Sequence, residues 1–139
     1  MKKRIMCVAS FVFALLIMTI SVSASVQASY LIERTLGSAA AVGNGYVTFS
    51  FHIAATDEMK DLGISKIEVY SESDGYLATF RYTDSGYSDM MGHNCSSYSG
   101  NVRFPGAPGE RYYAILTFYA SDGNRSDTDT YTTNSVYAR

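Results

Sequence analysis

Apolar and polar side chains alternate with a two-residue period along most of the chain beyond residue 45. The clearest run is residues 45–56, where the apolar positions are Val47, Phe49, Phe51 and Ile53. A two-residue period places alternate side chains on opposite faces of an extended strand. The same pattern predicts strands at residues 63–71, 75–84, 101–104, 112–120 and 127–138, and residues 30–36 supply an opening strand.

Glycine, proline, aspartate and asparagine separate these runs and predict turns at residues 43–45, 73–75, 105–106 and 122–124. Short alternating strands with regularly spaced turns are typical of an antiparallel sandwich. The predicted fold class is all-β, an immunoglobulin-like (fibronectin III-like) antiparallel β-sandwich of about seven strands. Residues 29–139 form its one domain.

Two stretches interrupt the alternation. In residues 55–63, Met59 and Leu62 stand three apart among acidic residues, which predicts a helical turn. Residues 86–100 are the longest stretch without alternation and predict a long loop, a kind of segment that often carries function. Met90 and Met91 in this loop either contact a ligand or close one end of the sandwich.

The amino terminus has the pattern of a secretory signal peptide. Three basic residues at positions 2–4 precede a run without charges at residues 5–20, and small and polar residues follow at 21–28. This run is shorter than a membrane-spanning helix requires. Val26 and Ala28 fit the positions before a signal-peptidase cut, so residues 1–28 are predicted to be removed after Ala28; a cut after Ala24 or an uncleaved anchor are the alternatives.

Processing changes the charge and cysteine content of the chain. It removes three of the 11 basic residues, and the remaining eight face 13 acidic ones, a formal charge of −5. An acidic chain without a Lys/Arg cluster is not expected to bind nucleic acid or anionic lipid. Only Cys95 remains of the two cysteines, so the domain contains no internal disulfide and depends on apolar burial.

Tyrosine dominates the candidate binding residues. All 12 tyrosines lie beyond residue 28, and the chain contains no tryptophan. Tyrosine combines an apolar ring with a hydroxyl, which suits contact with a protein or a glycan. The candidate ligand-contacting residues are those of the predicted loop and of the outer face of the strand at 112–120, namely Tyr87, Met90, Met91, His93, Tyr98, Tyr113 and Tyr119.

Catalysis has one candidate nucleophile. Cys95 would need His93 or His52 as its base, and His93, two residues away on an extended segment, would share a face with it. No oxyanion-hole motif accompanies them, so a loop with one free thiol is the simpler interpretation. Three function classes stay open: a binding protein for an extracellular protein or glycan, a cysteine-dependent enzyme, and a structural or self-associating surface protein.

Residues 122–129 are rich in aspartate and offer oxygen ligands to a calcium ion. They lack the EF-hand glycine at the sixth position, occupied by Asp127, and its glutamate at the twelfth, occupied by Thr133. A hairpin turn rich in aspartate and asparagine has the same composition. No His/Cys cluster indicates zinc, and we predict no cofactor.

Tyr112 follows the turn at Pro108 and Gly109, with Ala114, Leu116 and Phe118 on its face. This arrangement resembles the start of strand F in fibronectin type III domains. The resemblance implies a tyrosine corner, in which the Tyr112 ring packs inward and its hydroxyl bonds to upstream backbone.

A second resemblance covers most of the domain. Its motifs are Met90-Met91-Gly92, Asn94, residues 96–100, Gly106, Gly109-x-x-Tyr112-Tyr113-Ala114, Thr117-Phe118-Tyr119-Ala120 and residues 131–135. They are similar to those of an uncharacterised family of small secreted proteins of Gram-positive bacteria. The resemblance implies export and a β-fold, and it assigns no catalytic residue.

Overall fold

A computed structural model describes residues 31–139, so the predicted signal peptide and its cleavage site at Ala28 lie outside the described residues. The described chain is all-β and forms a seven-stranded antiparallel sheet, which confirms the predicted class at that level. The strands are β1 (Ile32–Gly43), β2 (Tyr46–Ser71), β3 (Gly75–Arg81), β4 (Met91–Pro105), β5 (Arg111–Ser121), β6 (Ser126–Thr132) and β7 (Val136–Tyr137). A 3-10 turn, Ser88–Met90, precedes β4. Among residues 31–139 no helix has the length and apolarity needed to cross a membrane.

The 26-residue strand β2 organises the sheet. Its first part, residues 46–55, pairs with β1 on one side and β4 on the other. Its second part, residues 61–71, pairs with β5 on one side and, on the other, with the start of β4 at residues 61–63 and with β3 from Lys66 onward. The sheet then continues from β5 to β6, and the short β7 also pairs with β5. The sheet as a whole curls into a half-barrel.

The helical turn predicted for residues 55–63 is wrong, because these residues belong to β2. The ladder between β2 and β4 shifts register between Ala54 and Met59, and Asp57 and Glu58 lie exposed in that irregularity. Met59 pairs with Cys95 just beyond it, and both Met59 and Leu62 are buried. Residues 62–64 are all buried, and the ladder with β5 shifts register between Ile64 and Lys66, so the two-residue period of the strand is interrupted here.

The long loop predicted for residues 86–100 is also wrong over most of its length, because β4 begins at Met91. Some inward positions of β4 are occupied by glycine, so residues 91–100 of this strand show no alternation of apolar and polar side chains. A Cβ at Gly100 would meet the ring of Phe51, and one at Gly92 would meet the ring of Tyr98. The neighbouring aromatic rings take the space that a larger inward side chain of β4 would need.

The core lies on the concave face of the sheet. The apolar alternation predicted for residues 45–56 and 112–120 is confirmed, since the inward residues of both runs are at most 7% exposed. The largest fully buried side chains include Phe49, Ile53, Phe118, Leu116, Ile67 and Met59. Burial of these apolar side chains is the main favourable term for folding in a domain that contains one cysteine.

The start of β5 is fixed by Tyr112. Its side chain is 4% exposed, and its ring packs edge-on against Phe104 with 5.5 Å between centroids. Its hydroxyl accepts a hydrogen bond of 2.8 Å from the backbone N–H of Ala107 in the preceding turn. These are the two features of a tyrosine corner. They set the register by which β5 presents its alternate side chains to the outer face.

β1 and β6, the two ends of the strand order β1-β2-β5-β6, approach each other without a backbone ladder among the described residues. Side chains of the β6 region bridge them instead. Asp127 accepts from the Leu31 N–H (2.8 Å), and Asp129 accepts from the Thr35 hydroxyl (3.0 Å). Asn134 accepts from the Ala39 N–H and donates to the Ala39 carbonyl. We call this the β1–β6 seam; it satisfies backbone groups that an open edge leaves unpaired.

Candidate binding surface

The outer face of the sheet carries three tyrosines side by side on neighbouring strands. Tyr70 of β2 pairs with Tyr113 of β5 on one side and with Tyr76 of β3 on the other. Tyr113 faces outward because Tyr112 is buried in the core, and alternation turns its neighbour to the other face. We call Tyr70, Tyr76 and Tyr113 the tyrosine row.

The rings of the tyrosine row contact one another. Tyr70 and Tyr113 stack with 5.3 Å between centroids and 9° between planes, and Tyr76 meets Tyr70 edge-on at 5.8 Å. Tyr76 is 57% exposed, and its hydroxyl lies 2.9 Å from that of Thr79. Because Tyr70 and Tyr113 stack on each other, each of these two rings has one face covered by the other.

A bulge explains why Tyr76 belongs to this face. The sequence alternation groups Tyr76 with Ala78 and Phe80, but the β2–β3 ladder shifts register so that Leu77 is an extra residue. Ala78 pairs with the inward Val69, whereas Tyr76 pairs with the outward Tyr70. A single extra residue reverses the face of every side chain beyond it. Phe80 keeps the inward direction and packs against the core.

A charged group adjoins the tyrosine row. Arg111 lies two residues before Tyr113 and therefore on the same face of β5. Its guanidinium carbon lies 5.2 Å from the ring centroid of Tyr137, and its Nε lies 3.6 Å from a carboxylate oxygen of Glu72. Tyr137 is 58% exposed. Sequence patterning does not identify the contact between Arg111 and Tyr137. The contact depends on the pairing of β5 with β7, and β7 is only two residues long, which is too short to show an alternating pattern.

Tyr119, also a predicted contact residue, is half-buried on the outer face but lies apart from the tyrosine row. It pairs with Gly63 and with Thr128, not with an aromatic residue. Six residues separate it from Tyr113, about 20 Å along a strand. The two predicted residues of this face therefore do not form one site.

The predicted loop residues are distributed between the core and a small cavity. Met90 and Met91 are 2% and 4% exposed, which matches the alternative that they close an end of the fold. Tyr87 is half-buried and stacks on Phe80 at 4.9 Å. A cavity of about 160 Å³ lies beside it, and its lining residues are Gly86, Tyr87, Asp89, Met90, Asn101, Val102 and Arg103. Its volume accommodates a few atoms rather than a glycan or a peptide segment.

Tyr98 connects β4 to the 3-10 turn at Ser88–Met90 rather than projecting as a free contact residue. Its hydroxyl donates to the carbonyl of Asp89 at 2.7 Å, and its ring lies 6.1 Å from that of Phe51. Burial raises the pKa of the Tyr98 hydroxyl, and the nearby Asp89 carboxylate and Cys95 add to the increase. The phenol therefore stays protonated and keeps its donor role at neutral pH.

Among residues 31–139, no neighbour activates the candidate nucleophile Cys95. It is partly buried against the core, and burial, followed by the charge of Glu58, raises the pKa of its thiol. The two histidines bond elsewhere: His93 Nδ1 lies 2.8 Å from Asp61 Oδ1, and His52 Nδ1 lies 2.6 Å from the Ser99 hydroxyl. A thiolate nucleophile needs the opposite shift.

The aspartates of residues 122–129 bond to the chain itself. Asp122 accepts from the backbone N–H groups of Asn124 and Arg125 and pairs with the Arg125 guanidinium. These backbone bonds lower the pKa of the Asp122 carboxyl. Asp127 and Asp129 point into the β1–β6 seam. Within residues 31–139, no three His, Cys, Asp or Glu side chains form a group suited to a metal ion.

Comparison with protein-family models and with curated proteins finds no match for this chain.

Proposed function

We propose that this chain is an exported, non-catalytic binding protein that contacts an extracellular protein through the tyrosine row. The observation that carries the proposal is the row itself, three mutually contacting tyrosines on three strands with Tyr76 57% exposed. Tyrosine offers a large, rigid and amphipathic contact area with little loss of side-chain entropy. Tyrosine and arginine are enriched among the residues that dominate protein–protein binding energy, and Arg111 adjoins the row.

A protein ligand is favoured over a glycan because of the ring orientation. Sugars bind to aromatic residues mainly over free ring faces, whereas Tyr70 and Tyr113 stack face to face. Exposed edges and hydroxyls suit a protein surface that offers both apolar side chains and hydrogen-bonding groups. A glycan ligand is the second candidate.

The finer fold assignment is part of the proposal: an immunoglobulin-like sandwich of fibronectin III type. The order of pairing supports it. β1, residues 46–55 and β4 lie together as strands A, B and E would, while residues 61–71, β5 and β6 lie together as strands C, F and G would. Strands B and C are then one continuous bent strand. Tyr112, at the start of β5, occupies the strand-F position of a tyrosine corner.

Export rests on the pattern of residues 1–28 and on the resemblance to small secreted proteins of Gram-positive bacteria. A non-catalytic role is supported by the raised pKa of the Cys95 thiol and by the bonds that hold both histidines away from it. The self-associating alternative predicts a mass that rises with concentration, which sedimentation velocity measures directly.

Immobilised protein of residues 29–139 tests the proposed surface against extracts of cell envelopes and host surface proteins. We expect a captured protein whose binding falls about tenfold or more in Tyr70→Ala and Tyr76→Ala. Tyr119→Ala, on the same outer face but outside the tyrosine row, is the matched control and should bind as wild type. Equal capture by all variants, or loss only in Tyr119→Ala, would contradict the proposal, and capture of a glycan would favour the second candidate.

A further inference from the structure

Arg111 is the least satisfied charged side chain of the outer face. Its Nε is buried from solvent and has no hydrogen-bond partner. The Glu72 carboxylate oxygen 3.6 Å away is beyond the usual hydrogen-bonding distance. Within residues 31–139, the Arg111 side chain makes one ion pair, with Glu72, and one cation–π contact, with the ring of Tyr137. The Arg111 side chain as a whole is 41% exposed, so a ligand from solvent meets the exposed part of the guanidinium, whereas Nε itself stays buried.

A partly exposed guanidinium whose one ion pair is long is suited to binding a carboxylate. It is planar, always charged and weakly hydrated, and its N–H groups match the two oxygens of a carboxylate. The ring of Tyr137 holds it on one side. The formal charge of residues 29–139 is −5, so the protein as a whole does not attract acidic ligands at long range. An acidic ligand would be selected only by the local pairing with Arg111.

We propose that Arg111 makes the tyrosine row specific for an extended acidic peptide segment of a protein partner, by pairing with an Asp or Glu carboxylate. This inference rests on the proposed function and names the chemistry of its partner. Arg111 and Tyr113 stand two residues apart on one strand, about 7 Å. An extended peptide repeats its side chains on one face at the same spacing. The partner segment therefore carries an apolar or aromatic residue against the tyrosine row and an acidic residue two positions away.

Glu72 is an internal competitor for the same guanidinium. Both side chains of this pair are nearly half exposed, 41% and 45%, and such exposed pairs contribute little to stability. A partner carboxylate that pairs with Arg111 has to displace Glu72 or bind beside it against like-charge repulsion. Removing the charge of Glu72 should consequently strengthen binding, whereas removing that of Arg111 should weaken it.

A random peptide library displayed on phage is the probe, selected on residues 29–139 and counter-selected on Tyr70→Ala. We expect enriched peptides with an apolar–x–acidic pattern. The most enriched peptides, synthesised and titrated, should bind Arg111→Gln about tenfold more weakly than wild type and Glu72→Gln more tightly. Arg111→Lys should stay weak, because an ammonium lacks the bidentate fork. Urea denaturation of each variant establishes that the fold is retained.

The outcomes separate the two proposals. Enriched peptides that depend on Tyr70 but bind Arg111→Gln as well as wild type would overturn this inference and leave the proposed function standing. No enrichment over Tyr70→Ala would overturn both. A second measurement follows the Nε–Hε NMR signal of Arg111 during titration with the peptide and with sialyl-lactose. A shift with the sugar acid and none with the peptide would overturn the inference in favour of an acidic glycan.

Discussion

Tyr112 and Tyr113 are adjacent in the chain and serve opposite faces. Tyr112 is buried, and its hydroxyl bonds to the Ala107 N–H, whereas Tyr113 stacks on Tyr70 outside. Tyr112→Phe should lower the free energy of unfolding by about 1 kcal/mol through loss of one hydrogen bond. Tyr112→Ala should lower it by roughly 3 to 5 kcal/mol because it also leaves a cavity.

Tyr113→Ala is the control for this series, measured by the same urea denaturation. It removes one half-buried aromatic contact, worth about 0.5 to 1.5 kcal/mol, and should cost clearly less than Tyr112→Ala. The reverse order would mean that the in/out assignment of β5 is shifted by one residue.

Cys95 should be a slow nucleophile. Burial and the charge of Glu58 raise the pKa of its thiol, so the thiolate fraction at neutral pH is below that of free cysteine. We expect alkylation of the reduced protein by iodoacetamide to be slower than that of free cysteine at pH 7. The rate should keep rising with pH beyond the point where free cysteine levels off.

His93→Ala is the control for this measurement. Because His93 bonds to Asp61, this variant should leave the alkylation rate of Cys95 unchanged. Fast alkylation near pH 6 that disappears in His93→Ala would instead support the cysteine-dependent enzyme.

At the scale of elements, the pairing of β2 with the start of β4 depends on a glycine that touches backbone. A Cβ at Gly63 would meet the carbonyl oxygen of Met90 and the Cα of Met91, which cannot move without displacing the start of β4. Gly63→Ala should therefore cost about 1 to 3 kcal/mol, as overpacking in a core does. Thermal or urea unfolding of the variant measures this cost.

Gly37→Ala provides a contrast within the same sheet. A Cβ there would meet only side-chain atoms of Leu116 and Tyr131, which can rotate aside. We expect a smaller loss of stability than in Gly63→Ala. A larger loss in Gly37→Ala would show that the contact between β1 and the β5–β6 part of the sheet is the tighter of the two.

At the scale of the whole molecule, the prediction of export is tested by processing. Expression of the full chain in a Gram-positive host should yield extracellular protein that begins at Ser29, because Val26 and Ala28 occupy the signal-peptidase positions. Mass spectrometry of the secreted protein identifies this terminus. Replacing Ala28 by a bulky charged residue should retain the precursor, and recovery of intact wild-type chain in membranes would contradict the prediction.

The sequence alone determined the all-β class, most of the turns and the inward residues of residues 45–56 and 112–120. These features follow from local rules, because period two and turn residues depend on neighbours in the chain. These local rules identified only part of the candidate surface. Alternation placed Tyr113 on the outer face, but it also placed Tyr119 in the same site, and it assigned Tyr76 to the face of Phe80.

The continuity of β2, the strand at 91–100 and the tyrosine row follow from contacts between segments that are distant in the chain. The Leu77 bulge is a property of the ladder between two strands, so it leaves no mark on the alternation of either one. The glycines of β4 suggest a loop when the sequence is considered alone, because the rings that fill the space beside them belong to residues that are not their neighbours in the chain. The ring of Phe51, from β2, lies against Gly100, and the ring of Tyr98, six positions along β4, lies against Gly92. Arg111, Tyr137 and Glu72 meet through pairing of strands distant in sequence, and register between such strands is set by how the whole core packs.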